Sequence, residues 1–162
     1  MNVVLMFSLM LFSTFTYAIG NLEERLFNDL NSSIVALGER ITFCKESSLG
    51  NKPDTDTLMF AKQRLNELTP VLAHLNYMAI ENCSFNEKKE LAYNLLIAKN
   101  NSKRHGTLEL VKATEIITFS FNTESQVKFD ALNSETKKFL INSEFFSKPF
   151  DVLGFYEIVV DM

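Results

Sequence analysis

The sequence predicts an all-α protein, a single-domain bundle of five or six helices behind an N-terminal signal segment. Three observations carry that expectation. Residues 1–18 contain no charge at all. Beyond them, apolar residues recur three or four apart over long stretches, the period of an amphipathic helix. The 162 residues, 46% hydrophobic and 22% charged, suit one domain over 19–162 that can bury a sizeable core.

The uncharged run suits the apolar core of a secretory signal, with Thr16 and Ala18 placed for cleavage after Ala18. Ala18 and Gly20 offer a second site two residues on. The run is also close to the ~20 residues of a membrane span, so an uncleaved anchor is the alternative; cleavage leaves no stable span. The start carries no Lys or Arg, which weakens the signal, and no Cys lies near the cleavage point, which disfavours a lipoprotein. Export, periplasmic or secreted, would place Cys44 and Cys83 in an oxidising compartment, where an even count of cysteines usually means a bridge. Neither cysteine belongs to a C-x-x-C pair, so a metal site is disfavoured.

In the first segment, Leu22, Leu26, Leu30, Ile34, Leu37, Ile41 and Cys44 form one apolar stripe, with Glu23, Arg25, Glu39 and Arg40 off it. Gly50 suits a C-terminal cap and Pro53 bars continuation. The second stripe, Leu58, Ala61, Leu65, Leu68, Leu72, Leu75 and Ala79, is unbroken, although Pro70 removes a backbone donor inside it. A single kinked helix from about Thr57 to Asn82 is favoured over a new helix capped by Thr69. The bridge pulls the other way. In a plain hairpin Cys83 would lie about 39 Å from the connection, whereas a disulfide needs Cα atoms within ~7 Å. A bridge therefore demands a connection that runs back along the first helix, or a sharp break at Pro70.

Ser84-Phe85-Asn86-Glu87 matches a capping box and opens a third helix carrying Leu91, Leu95 and Ala98. Asn100 to Gly106 is a polar turn. Leu110, Ala113, Ile117 and Phe121 suit a helix over Thr107–Asn122, while Ile117, Phe119 and Phe121 in alternation suit a strand. Thr123 to Asn142 reads as helical, Ser147-Lys148-Pro149 as a turn, and Asp151 caps a short last helix through Val160.

Little in this chain announces chemistry. The net charge of −4 argues against nucleic acid or an anionic membrane as partner. The absence of Trp disfavours sugar stacking, and few glycines leave few sharp active-site loops. No nucleophile elbow, H-E-x-x-H pair, phosphate-binding glycine loop or Ca²⁺ loop occurs, and no cofactor or catalytic residue is implied. His74 reads as a partly buried polar residue, since Glu67 and Glu81 are each two turns away. Glu23 and Glu24 suit a helix start, where carboxylates complement the macrodipole. Asn31, Asn82 and Asn100 begin N-x-S/T triplets, glycan acceptors in a eukaryote if exposed.

Two surfaces could hold a partner. One is the basic turn of Lys99, Lys103, Arg104 and His105, suited to a phosphate or carboxylate. The other, favoured, is the aromatic end with Phe145, Phe146, Phe150 and Tyr156, a residue type that anchors interfaces. On a helix, adjacent Phe145 and Phe146 would point about 100° apart, one into the core and one toward a partner or cavity. The expected function is a non-catalytic module that binds another protein, of the inhibitor, immunity or adaptor type. The alternative is a carrier of a small apolar ligand such as a lipid, which requires a cavity of about 300 Å³ or more.

Overall fold

The structure, a computed structural model, describes the backbone of residues 2–103, 105–118 and 123–162, and the side chains of 21–103, 106–116, 118 and 124–162. The chain is all-helical over these residues, with no strand among them. In order the helices are α1 (Asn2–Ser47), α2 (Thr55–Gln63), α3 (Leu65–Leu68), α4 (Leu72–Cys83), α5 (Phe85–Asn101), α6 (His105–Thr118), α7 (Thr123–Asp130), α8 (Ser134–Asn142) and α9 (Val152–Asp161). Short 3₁₀ turns occupy Ser48–Gly50 and Thr69–Val71. The chain is cut more finely than the five or six helices expected. The side chains of the expected leader, Arg104 and the Phe119–Phe121 alternation lie outside the described residues. Among the described residues, no helix is long and apolar enough to cross a membrane.

The residues fall into two compact units, 1–36 with 88–119, and 37–87 with 120–162. In the first, α1 buries Glu23, Leu26, Leu30 and Ser33, alternating steps of three and four. The apolar stripe is therefore right at Leu26 and Leu30 but shifted at its edges, where Leu22 is 46% exposed and Glu23 is buried. Hydrogen bonds make the polar positions tolerable. The Glu23 carboxylate accepts from the Lys103 backbone N–H. Ser33 Oγ donates to Asp29 O and accepts from Asn94 Nδ2 at 2.6 Å. Glu23 thus holds the end of α5, where an apolar count sees only an acidic residue off the stripe. Leu91, Leu95, Ala98 and Val111 complete this core.

In the second unit Cys44 and Cys83 form a disulfide, with Cα atoms 6.1 Å apart. Beside it Arg40 Nε donates to Cys83 O at 2.9 Å and approaches Glu87 at 3.9 Å. The conflict between bridge and helix is resolved by breaking the second stripe. Helix α2 ends at Arg64, which leaves helical conformation (φ −124°, ψ 24°), and Pro70 sits in the 3₁₀ turn that precedes α4. Thr69 does not cap α4, because its hydroxyl donates back to Leu65 O at 2.7 Å. The apolar stripe survives the breaks: Ala61, Leu68, Leu72, Leu75 and Ala79 are buried, with Leu58 and Leu65 partly so. An unbroken stripe reports which residues face the core, not that one helix carries them.

Local caps follow the sequence in some places and not in others. Asp54 accepts from Thr57 N at 2.7 Å and opens α2. Asn133 accepts from Thr136 N at 2.8 Å and divides Thr123–Asn142 into α7 and α8. Asp151 accepts from Leu153 N and Gly154 N, as expected for the last helix. A Cβ at Gly154 would lie 2.6 Å from the Asp151 carboxylate, so glycine there makes room for the cap. Gly50 is not a left-handed cap, since no described glycine has positive φ; it belongs to the 3₁₀ turn extending α1. Helix α5 starts at Phe85, but the Ser84 hydroxyl turns back to Ile80 O at 2.8 Å and Glu87 faces Arg40.

Replacing both cysteines by Ser should lower unfolding free energy by about 4 kcal/mol, the chain-entropy value for a loop of this length. The far-ultraviolet helical signal should persist, because the apolar stripes remain. Urea denaturation followed by circular dichroism measures both; an unchanged midpoint would contradict the expectation.

Candidate functional site

The C-terminal aromatic end is built on a non-helical turn. Residues 143–151 connect α8 to α9, and two asparagines fix their path. Asn51 Nδ2 donates to the carbonyls of Phe145 (2.9 Å), Pro149 (3.2 Å) and Lys148 (3.4 Å). Asn76 Oδ1 accepts from Phe150 N at 3.1 Å. A carboxamide offers donors and an acceptor on one short stem, which suits it to satisfy a turn whose backbone has no ladder partner. Neither asparagine carries a sequence signal, since each acts on backbone more than 70 positions away.

This turn aims Phe145, Phe146 and Phe150 inward together, and the core contains all three at 4%, 4% and 1% exposure. With Phe155 of α9 they form a cluster whose ring centroids lie 4.9–6.0 Å apart, mostly tilted or edge-to-face. Such pairs contribute about 0.5–1.5 kcal/mol each beyond area burial. The expectation that one of the adjacent Phe145 and Phe146 faces outward is corrected here: its 100° argument requires a helix, and residues 143–150 are not helical. Phe145, Phe146 and Phe150 are packing residues. Of the four aromatics named for this end, only Tyr156 is accessible.

Tyr156 lies on the outer face of α9. Phe155 and Val159 point into the core, and Leu153 (73% exposed), Tyr156 (38%) and Val160 (44%) follow the i, i+3, i+7 spacing of one exposed flank, about 110° round the helix from them. Next to it, Lys62 Nζ donates to Val160 O at 3.2 Å.

A second feature lies between α2 and α8, a groove of about 580 Å³. Its wall is the Phe60–Phe139 stack, centroids 3.7 Å apart and rings 12° from parallel. Asp54, Asp56, Glu135, Glu144 and the single cation Lys138 surround it. The Arg64 guanidinium sits 4.5 Å from the Phe60 ring centroid and 3.5 Å from Glu135. The backbone N–H of Thr57 holds Asp54 below the ordinary carboxylate range. The Lys148 hydrogen bond does the same for Glu144, against the opposing charge of Asp54. Both carboxylates stay charged through neutral pH.

The basic turn is only partly brought together. Lys99 pairs with Glu115 at 2.5 Å, and Lys103 is exposed while its backbone N–H reaches Glu23. Arg104 and the His105 side chain lie outside the described residues. Asn31, Asn82 and Asn100 are exposed, and Asn82 lines an open groove of about 520 Å³ beside Cys83 and Asn51. No group of three or more metal-binding side chains occurs among the described residues.

His74 is more deeply buried than the sequence suggests, at 3% exposure. Its ring packs 5.2 Å from Phe129, and neither ring nitrogen has a hydrogen-bond partner among the described residues. Burial lowers its pKa from the ordinary 6.5, partly countered by the charge of Asp130.

The unfolded chain therefore takes up a proton at higher pH than the folded one. Stability contributed by neutral His74 should be present above 6.5 and decline as pH falls from 6.5 toward the lowered value. Thermal melts at pH 7.5 and 5.5 should differ, and His74→Leu should remove most of the difference. The carboxylates held low act below this window. A variant that keeps the full slope would refute the assignment. Separately, Phe145→Ala and Phe146→Ala should each cost about 3–5 kcal/mol, as core truncations do, measured by urea unfolding; a nearly neutral result for either would reopen it as a surface residue. No protein-family model, no curated protein and no solved structure matches this chain.

Proposed function

We propose that this protein is an exported, non-catalytic, protein-binding module of the inhibitor, immunity or adaptor type, and that it docks through the outer face of α9. The observation that carries the reading is the contrast between the two sides of that helix. Inward, the rings of Phe145, Phe146, Phe150 and Phe155 fill the space that a carrier of apolar ligands would keep open. Outward, Leu153, Tyr156 and Val160 present apolar and aromatic surface to solvent. Contiguous exposed apolar area of this kind is a common mark of a protein contact, and tyrosine is among the residue types that anchor one.

Export is supported by the uncharged run at residues 1–18 and by the Cys44–Cys83 bridge, which is compatible with an extracellular, oxidising setting. The non-catalytic reading rests on the lack of a recognisable constellation in sequence. His74 is buried at 3% exposure with its ring against Phe129.

Native mass spectrometry of the protein purified from its source tests the reading. The expected result is a stoichiometric protein partner that is lost from the Leu153→Asp, Val160→Asp double variant while its melting temperature stays within a few degrees of the parent. A co-purified lipid in place of a protein would favour the carrier. A partner retained in full by the double variant would remove α9 from the interface.

A further inference from the structure

The geometry points to the groove between α2 and α8 as a receptor for an arginine side chain from a basic segment of a partner protein. This surface is distinct from the outer face of α9, and the inference does not require that face to dock anything. It rests on three features of the groove.

First, the groove combines an aromatic wall with carboxylates at its edge. Guanidinium groups are planar and weakly hydrated, stack on aromatic faces and take carboxylate partners through several N–H donors. Lysine ammonium, a compact and strongly hydrated point charge, uses such a wall less well.

Second, the chain already performs this recognition on itself. Arg64 lies over the Phe60 ring at 4.5 Å while approaching Glu135 at 3.5 Å. One guanidinium is thus seated between the Phe60 ring and the Glu135 carboxylate, two of the residues that line the groove. Phe139, stacked on Phe60, lines the groove together with Asp54, Asp56 and Glu144.

Third, the charge of the groove lining is unbalanced. Four carboxylates and one lysine line the groove. Glu135 is used by Arg64 and Glu144 by Lys148, but Asp54 and Glu144 still oppose one another. Asp56 is exposed, and among the described residues its carboxylate makes no ion pair or hydrogen bond. A cation entering there would meet like charges that its own charge relieves. An incoming arginine would lay its methylene stem on the aromatic stack and set its guanidinium among Asp54, Asp56 and Glu144.

Fluorescence anisotropy with the full-length protein tests this, using three labelled, end-blocked peptides of identical length. They carry two arginines, two lysines or two citrullines in a Gly/Ser background. The arginine peptide should bind, the lysine peptide several-fold more weakly, and the citrulline peptide not measurably. The Asp56→Asn, Glu144→Gln double variant should weaken arginine-peptide binding about tenfold or more. The charge-matched control Glu39→Gln, Glu46→Gln, on exposed carboxylates of α1, should leave it within twofold. Equal losses in both double variants would reduce the effect to net charge and overturn the inference. So would equal binding of the arginine and lysine peptides, or no binding of the arginine peptide at millimolar concentration. Sedimentation of the protein alone settles one other occupant: self-association abolished by the groove substitutions would assign the site to a second copy of this chain and displace the partner segment.

Discussion

With the Cα atoms of Cys44 and Cys83 held 6.1 Å apart, the chain between them must leave the end of α1 and come back to it. A straight helix from Thr55 to Cys83 would span about 42 Å, and no short connection could return Cys83 to the bridge from that distance unless it ran back the whole way. The breaks at Arg64 and at Thr69–Val71 make the return possible, and they also place α2 and α4 as separate elements around one core. Arg40 reinforces the same point by donating to Cys83 O. Helices α7, α8 and α9 and the 143–150 turn then pack on that frame through Leu68, Val71, Leu72 and Leu75.

The aromatic end illustrates how a core can be mistaken for a surface. Four phenylalanines in eleven residues carry more apolar area than a short helix can hide. The chain solves this by abandoning the helix across the segment. A turn lets successive side chains face the same way, which α-helical geometry forbids, and Asn51 and Asn76 supply the hydrogen bonds that the turn's backbone lacks. The groove between α2 and α8 arises from the opposite arrangement: Phe60 and Phe139 stack on each other and stay only partly buried.

What could be read in the sequence was the periodicity. The all-helical class, the stripe from Leu58 to Ala79, the start of α5 at Phe85, the Asp151 cap and the cysteine pairing follow from local spacing or from simple counting. What could not be read depends on partners far along the chain. Glu23 looks like a helix-start acid until Lys103 is seen beside it. Asn51 looks like a loop residue until the carbonyls of Phe145, Lys148 and Pro149 converge on it. The groove was invisible for the same reason: Phe60 and Phe139 are 79 positions apart, and neither departs from its local helical pattern.

Glu23 and Ser33 have a consequence for how the helices of the first unit are aligned. Leucines on a heptad-like seam fit one another almost as well after a slide of one turn, about 5.4 Å, so apolar packing alone tolerates several alignments. The two polar contacts do not. Sliding α5 along α1 would separate Asn94 from Ser33 and the Lys103 N–H from the Glu23 carboxylate, leaving buried polar atoms without partners at about 1–3 kcal/mol each, and more for a charged group. Leucine supplies most of the adhesion on this seam, and two polar side chains select the single offset at which it is used.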